Sequence, residues 1–110
     1  MGMKSRRAKA TDIPQSVKRR VWDRDGGRCV FCGSSVNVMP NAHFIPRSAG
    51  GLGIERNILT AFTRLSPNDC HSRFDSGSEA EREAMREHAR RYLKSFYPGW
   101  NEKDLYYKKH

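Results

Sequence analysis

An α+β fold is predicted by three features of the chain. Apolar residues at helical spacing (Ile13, Val17, Val21, Trp22) surround Pro14. A short β-prone stretch runs from Val36 to Ile45 around Pro40. Ser78-Glu79-Ala80-Glu81 forms a capping box before a long amphipathic segment. At 110 residues the chain fits one compact domain. Such a domain buries a limited core, so a metal or a partner would help hold it together. It is 36% hydrophobic and 30% charged, which is polar for a globular domain, while 10% aromatics weigh against disorder.

The elements follow in order. Residues 1–11 carry Lys4, Arg6, Arg7 and Lys9 and read as a flexible basic arm, either touching phosphates or simply solvated. One domain is expected over 12–110. A helix starts at Pro14, a favoured first-turn residue, and stops at Gly26-Gly27, with Lys18, Arg19 and Arg20 largely off its apolar stripe. Arg28–Gly33 forms a turn holding Cys29 and Cys32. Val36–Ile45 reads as a short antiparallel hairpin with His43 on its second arm, ended by Pro46.

Arg47–Gly53 (RSAGGLG) is a glycine-rich loop, and Asn57–Phe62 is a helical or extended piece. A polar link, Thr63–Asp69, leads to a short helix opening near Asn68 or Asp69 and carrying Cys70, His71 and Asp75. The long helix runs from the capping box to about Tyr97. Its predicted stripe is Ala80, Ala84, Met85, His88, Tyr92, Leu93 and Phe96, and Pro98-Gly99 ends it. The tail is expected to fold back through Trp100, Leu105 and Tyr106. Trp22 and Trp100 read as core residues, His88 as a packed histidine, and Arg90-Arg91 as a solvated face.

The net charge of +9 says little about fold and much about partners: it favours polyanions, with nucleic acid ahead of a membrane surface. No apolar run is long enough to span a bilayer, and the basic N-terminal segment lacks the apolar stretch of a secretory signal, so a cytoplasmic location is expected. Three cysteines, an odd count, do not suggest a disulfide framework. Cys29-x-x-Cys32 has no βαβ pattern around it, which favours metal over redox use.

Three side chains stand out for chemistry: His43 on a strand, Asn57 after the glycine-rich loop, and His71 on the following helix. The segments NAHFIPRSAGGLGIERN and CHSRFD, with the Cys-x-x-Cys before them and RYLKSFYPGWNEKDLYYKK after, resemble the HNH endonuclease family, in particular its small phage and prophage members. The resemblance covers the chain from about Ile13 onward. It implies a ββα-metal core that hydrolyses DNA phosphodiester bonds, nicking or cleaving with low sequence specificity and leaving 5′-phosphates, in the cytoplasm of a bacterial or phage-infected cell. His43 would be the general base, since an ordinary imidazole is mostly neutral at pH 7. Asn57 would pin the loop to the strand, because an amide both donates and accepts. His71 would hold a single Mg²⁺ or Mn²⁺ ion, with Asp75 one helical turn later as a second ligand. Arg47, beside the base, and Arg73 would contact phosphate.

Two positions depart from the family pattern. The residue before the base His is commonly a metal-binding Asp or His and here is Ala42, so Asn41, Asp75 or extra waters would compensate. Relatives often hold a structural Zn²⁺ with two Cys-x-x-Cys pairs. Here only Cys29, Cys32 and Cys70 remain, the lost cysteine standing at Pro67 or Phe62. Tetrahedral zinc wants four ligands, so Asp69, Ser66, a water or a rotated histidine would complete it; otherwise the three thiols pack reduced as small apolar residues. Two alternatives stay open: a non-catalytic zinc-knuckle module that binds nucleic acid, and a packaging accessory partnered with a phage terminase.

Overall fold

The computed structural model describes residues 5–63 and 69–108. The architecture is α+β. Among the described residues four α-helices, α1 (Arg6–Thr11), α2 (Gln15–Asp25), α3 (Cys70–Ser76) and α4 (Glu79–Phe96), surround a two-stranded antiparallel sheet of β1 (Val38–His43) and β2 (Ile58–Phe62). No helix among the described residues is long and apolar enough to cross a membrane.

The arm expected to be flexible is helical over part of its length. Lys4 lies outside the described residues, but residues 6–11 are helical. Ser5 caps the helix by accepting from the Ala8 N–H at 3.0 Å, and the run RRAKA holds good helix formers. α1 is also tied down: the Gly53 N–H donates to the Ala10 carbonyl at 2.9 Å and Arg7 Nη2 to the Ser48 carbonyl at 2.8 Å. Arg47 pairs with Asp12. These tertiary contacts, absent from any local pattern, hold a helix too short to be stable by itself.

Pro14 precedes α2 as its N-cap, and Gly26 ends it in the left-handed conformation at φ 65°. Val17 and Val21 are buried against Ile58, with Ile13 packed beside them. Trp22, expected in that core, is 40% exposed. Its ring lies over Gly27, which lacks a Cβ at a point where one would stand 2.9 Å from the indole. Next to it, Asp25 is buried and locks three elements together. It accepts from Arg24, from the Thr60 N–H at 2.9 Å and from the Tyr92 hydroxyl at 2.6 Å, so the carboxylate is compensated on all sides.

The expected local hairpin over 36–45 is also corrected. The second strand lies beyond the glycine-rich loop, and His43 pairs with Ile58 rather than with its own neighbours. Between Met39 and Ala42 the register shifts, because β1 carries an extra residue where Pro40 has no N–H to give the ladder. Pro40 therefore marks a bulge, not a turn. On β2, Ile58 packs with α2 while Leu59 and Ala61 join the main core with Phe44, Ile45, Phe74, Ala89, Leu93, Trp100 and Leu105.

α3 begins at Cys70, capped by Asp69 Oδ1 accepting from the Ser72 N–H at 2.7 Å; the alternative start at Asn68 lies outside the described residues. Ser78 caps α4 by accepting from the Glu81 N–H at 3.2 Å, as the capping box predicts. The buried stripe of α4 is rotated from the expected one: Ala89 and Leu93 are buried, Met85 and Tyr92 half-buried, and Ala80, Ala84, His88 and Phe96 exposed. Arg86 and Arg90 flank this stripe and hold their guanidinium groups over the Phe44 ring, 4.5 and 5.9 Å from its centroid, so they cover apolar surface that a polarity pattern counts as solvent. The tail returns as expected through Trp100 and Leu105. Trp100 Nε1 donates to the Arg56 carbonyl at 2.8 Å, and Leu52 N–H to the Leu105 carbonyl at 2.8 Å. Tyr106 bridges to Gly51 through its backbone but is 39% exposed.

Candidate functional site

One groove of about 860 Å³ gathers His43 and Asn41 from β1, Arg47 and Ser48 from the loop, His71 and Asp75 from α3, Asp12 and Ile13 after α1, Lys18 from α2 and Arg82 from α4. Residues 41 and 43 share one face of β1, whereas Ala42 faces inward and is fully buried. The position that departs from the family pattern therefore points into the core, and Asn41 stands at the groove in its place. Asn41 Oδ1 is buried and, among the described residues, has no hydrogen-bond partner. A buried amide oxygen without a partner is uncommon in a folded protein and marks a place where a donor or a cation would fit.

His43 is half-buried, and its Nε2 lies 2.9 Å from the Thr11 carbonyl oxygen. A carbonyl only accepts, so Nε2 carries the hydrogen and Nδ1 is left with the lone pair. Burial holds the His43 pKa below the usual imidazole value. The nearby Thr11 carbonyl and Asp75 pull upward without overcoming it, and His71 adds a small push downward. The result is a neutral imidazole with a defined accepting nitrogen.

Asn57 sits behind the groove, fully buried. Its Oδ1 accepts from the Ile45 N–H at 2.8 Å, and its Nδ2 donates to the Leu52 carbonyl at 2.8 Å and the Ile45 carbonyl at 3.3 Å. Its own carbonyl accepts from the Phe44 N–H at 2.7 Å. Asn57 thus closes the loop of residues 45–57 on itself and fixes the chain immediately after His43. Arg24 braces the same turn from below, donating to the carbonyls of Glu55 at 2.8 Å and Ile58 at 2.7 Å, on either side of Asn57.

On α3, His71 Nε2 and Asp75 Oδ2 are 3.3 Å apart. The hydrogen bond to Asp75 raises the His71 pKa, with burial opposing and the charges of Asp75 and Asp69 adding to the rise. This pair offers one nitrogen and one oxygen to a cation. Of the two arginines expected at phosphate, Arg47 lines the groove but pairs with Asp12, and Arg73 pairs with Glu81 on another part of the surface, beside Cys32, Cys70 and His88. Lys18 and Arg82, which the sequence reading did not single out, line the groove instead.

The cysteines form a separate cluster. The sulfurs of Cys29, Cys32 and Cys70 lie within 4.8 Å of one another and could bind a metal such as zinc. Among the described residues no other group of three His, Cys, Asp or Glu side chains converges this closely. The turn is built for thiolate: the N–H groups of Phe31 and Cys32 donate to Cys29 Sγ at 3.3 and 3.4 Å. Burial alone would raise the Cys29 pKa, but these backbone donors reverse it, and the thiol is lowered overall. Cys70 is raised, by burial first and then by the neighbouring thiols. Of the groups expected to complete a zinc site, Asp69 caps α3, His71 faces Asp75 and Ser66 lies outside the described residues; of the two positions for the lost cysteine, Pro67 also lies outside them and Phe62 is the last residue of β2. His88 donates from Nε2 to the Val30 carbonyl at 2.7 Å at the rim of this cluster.

Comparison with known proteins gives no matching family model, no matching curated protein and no matching solved structure.

Proposed function

We propose that this chain is a metal-dependent nuclease of the HNH, ββα-metal type that hydrolyses DNA phosphodiester bonds. The observation that carries the reading is the groove itself, where a neutral imidazole with its lone pair on Nδ1 and a histidine–carboxylate pair stand together. The succession β1, β2, α3 matches the order of a ββα-metal core, and the net charge of +9 suits a polyanionic substrate.

The residues present fit a single Mg²⁺ or Mn²⁺ ion. Asp75 and the partnerless Asn41 Oδ1 are oxygen donors of the kind such cations prefer, and His71 supplies a borderline nitrogen that suits Mn²⁺. When bound, such an ion neutralises charge on the phosphate and stabilises the departing oxygen. His43 Nδ1 takes the proton from the attacking water, while the Thr11 carbonyl keeps the imidazole in the tautomer that leaves Nδ1 free. Asn57 holds the strand end so that this nitrogen keeps its aim. The three cysteines would hold a structural Zn²⁺ at the start of α3, which would fasten the turn between α2 and β1 to the helix that bears His71.

Supercoiled plasmid incubated with the protein and Mn²⁺ tests the proposal. Relaxed or linear DNA in Mn²⁺, none in EDTA, is expected; intact plasmid in both, with any divalent ion, contradicts it. The three-thiol cluster favours one other reading, a zinc-knuckle module that binds nucleic acid without cutting. DNA binding that persists in EDTA with no cleavage in any metal would select it. Association with a phage terminase is compatible with either reading and is tested by co-purification.

A further inference from the structure

The groove carries two cations whose charge is not spent inside the molecule. Most arginines of the described core are occupied: Arg24 binds Asp25 and two carbonyls, Arg86 donates to the Phe44 carbonyl at 3.0 Å, and Arg90 and Arg91 pair with Glu87 or Glu102. Arg47 and Arg73, the two that the sequence points to, are neutralised by Asp12 and Glu81. Lys18 and Arg82 differ. Both line the groove with His43 and His71, and among the described residues neither side chain has a hydrogen bond or an ion pair. They approach from separate elements, α2 and α4. Arg82 also lines the smaller cleft, of about 300 Å³, that continues the groove past Asp75 toward Arg86.

From this placement we infer that Lys18 and Arg82 form a two-pronged phosphodiester clamp on the His43–His71 groove, and that Arg47 and Arg73 are not its principal phosphate contacts. The inference rests on the nuclease reading for its substrate and goes beyond it in assigning the substrate contacts. The groove is also lined by Asp12, which Arg47 pairs, and by Asp75, whose charge repels a phosphate. An ion at His71 would offset Asp75, and the walls must supply the rest. A guanidinium offers a planar fork matched to two phosphate oxygens, and an ammonium offers a compact point charge. Arg82, on the divide between groove and cleft, takes the phosphate nearest His43. Lys18, one helix away, takes a neighbouring phosphate along the strand. Because neither side chain is paired among the described residues, binding breaks no ion pair there, whereas Arg47 or Arg73 would first have to leave its carboxylate.

The test is binding of a short DNA duplex, read by fluorescence anisotropy over a salt series in Ca²⁺, used as a non-cleaving probe ion, and again in EDTA. Each phosphate contact contributes close to one unit to the slope of log K against log salt. Lys18→Gln and Arg82→Gln are each expected to flatten the slope by about 0.9 and the double variant by about twice that, with affinity falling several-fold per substitution near 0.1 M salt. Arg73→Gln is expected to leave the slope unchanged, and Arg47→Gln to change it less than either. Slopes equal to wild type for Lys18→Gln and Arg82→Gln, or a loss concentrated in Arg73→Gln, overturn the clamp. Absence of wild-type binding at every salt concentration also overturns it. Plasmid cleavage by wild type in Mn²⁺ is scored separately: cleavage with unaltered slopes sinks the clamp alone, and slopes that shift without cleavage sink the nuclease reading alone.

Discussion

His71 Nε2 stands 3.3 Å from Asp75 Oδ2, one turn further along the same short helix. The spacing of four residues places both on one face of α3, and the groove they share with Asn41 brings a third donor from β1. Divalent ion binding should therefore depend on all three. His71→Ala is expected to weaken Mn²⁺ binding by more than tenfold, and Asp75→Asn and Asn41→Ala by about tenfold each, extending to ligands the loss known for their hydrogen-bonded supports. Titration calorimetry with Mn²⁺ checks this. Equal affinity in wild type and His71→Ala would remove the ion from α3.

The two groove histidines should respond to pH in opposite directions. The His43 pKa is lowered by burial, so its neutral form is favoured by folding: it adds stability above the unfolded value near 6.5, lost as pH falls through its lowered value. The His71 pKa is raised by Asp75, so its stabilising contribution is full below about 6.5 and lost as pH rises through its raised value. In EDTA, His71→Gln should cost more thermal stability at about pH 5 than at about pH 8, and His43→Gln should cost less at the acid end. Melting curves at both pH values decide it, and a His71→Gln cost independent of pH would contradict the pairing. For the same reason, the acid limb of cleavage at saturating metal should fall below the ordinary imidazole pKa.

Asn57→Ala should be among the most damaging single changes. It leaves the Ile45 N–H and the Leu52 carbonyl without their partners in a fully buried position. A loss of about 2–4 kcal/mol is expected from urea unfolding. A loss below about 0.5 kcal/mol would mean that the loop is held by something else.

Gly53→Ala tests the contact that sets the His43 tautomer. A Cβ at residue 53 would run into the Asp12 carbonyl oxygen, where no flexible side chain can give way. The end of α1 must then shift, and with it the Thr11 carbonyl that accepts from His43 Nε2. Nitrogen-15 spectra of the imidazole should show Nε2–H alone in wild type and a mixture of tautomers in the variant. An unchanged spectrum in a folded variant would show that Thr11 does not set the tautomer.

Much of this organisation is legible in the sequence because it is local. The Ser78 capping box, the start of α3 after Asp69 and the glycine stop of α2 are short-range signals, and each appears where the residues place it. The positions of His43, His71 and Asp75 in one groove follow from strand and helix periodicity combined with the resemblance. What escapes is non-local. The partner of β1 lies beyond a loop closed by Asn57, so local pattern cannot tell it from a neighbouring arm, and Pro40 occupies a bulge where a hairpin turn would also suit it. α1 carries no amphipathic signal, and its role comes from one backbone carbonyl, which no side-chain pattern reports. Lys18 and Arg82 resemble every other basic residue in the chain. Only the three-dimensional tally of which arginines already have carboxylates separates them from Arg47 and Arg73.

In the proposed reaction His43 Nδ1 receives the proton from the attacking water. Its most direct test is the single-turnover cleavage rate of His43→Ala against wild type, in saturating Mn²⁺ and with duplex binding measured alongside. A rate lower by about 10²–10⁴-fold is expected, with duplex affinity within a factor of about three. A variant that cleaves at the wild-type rate would contradict it.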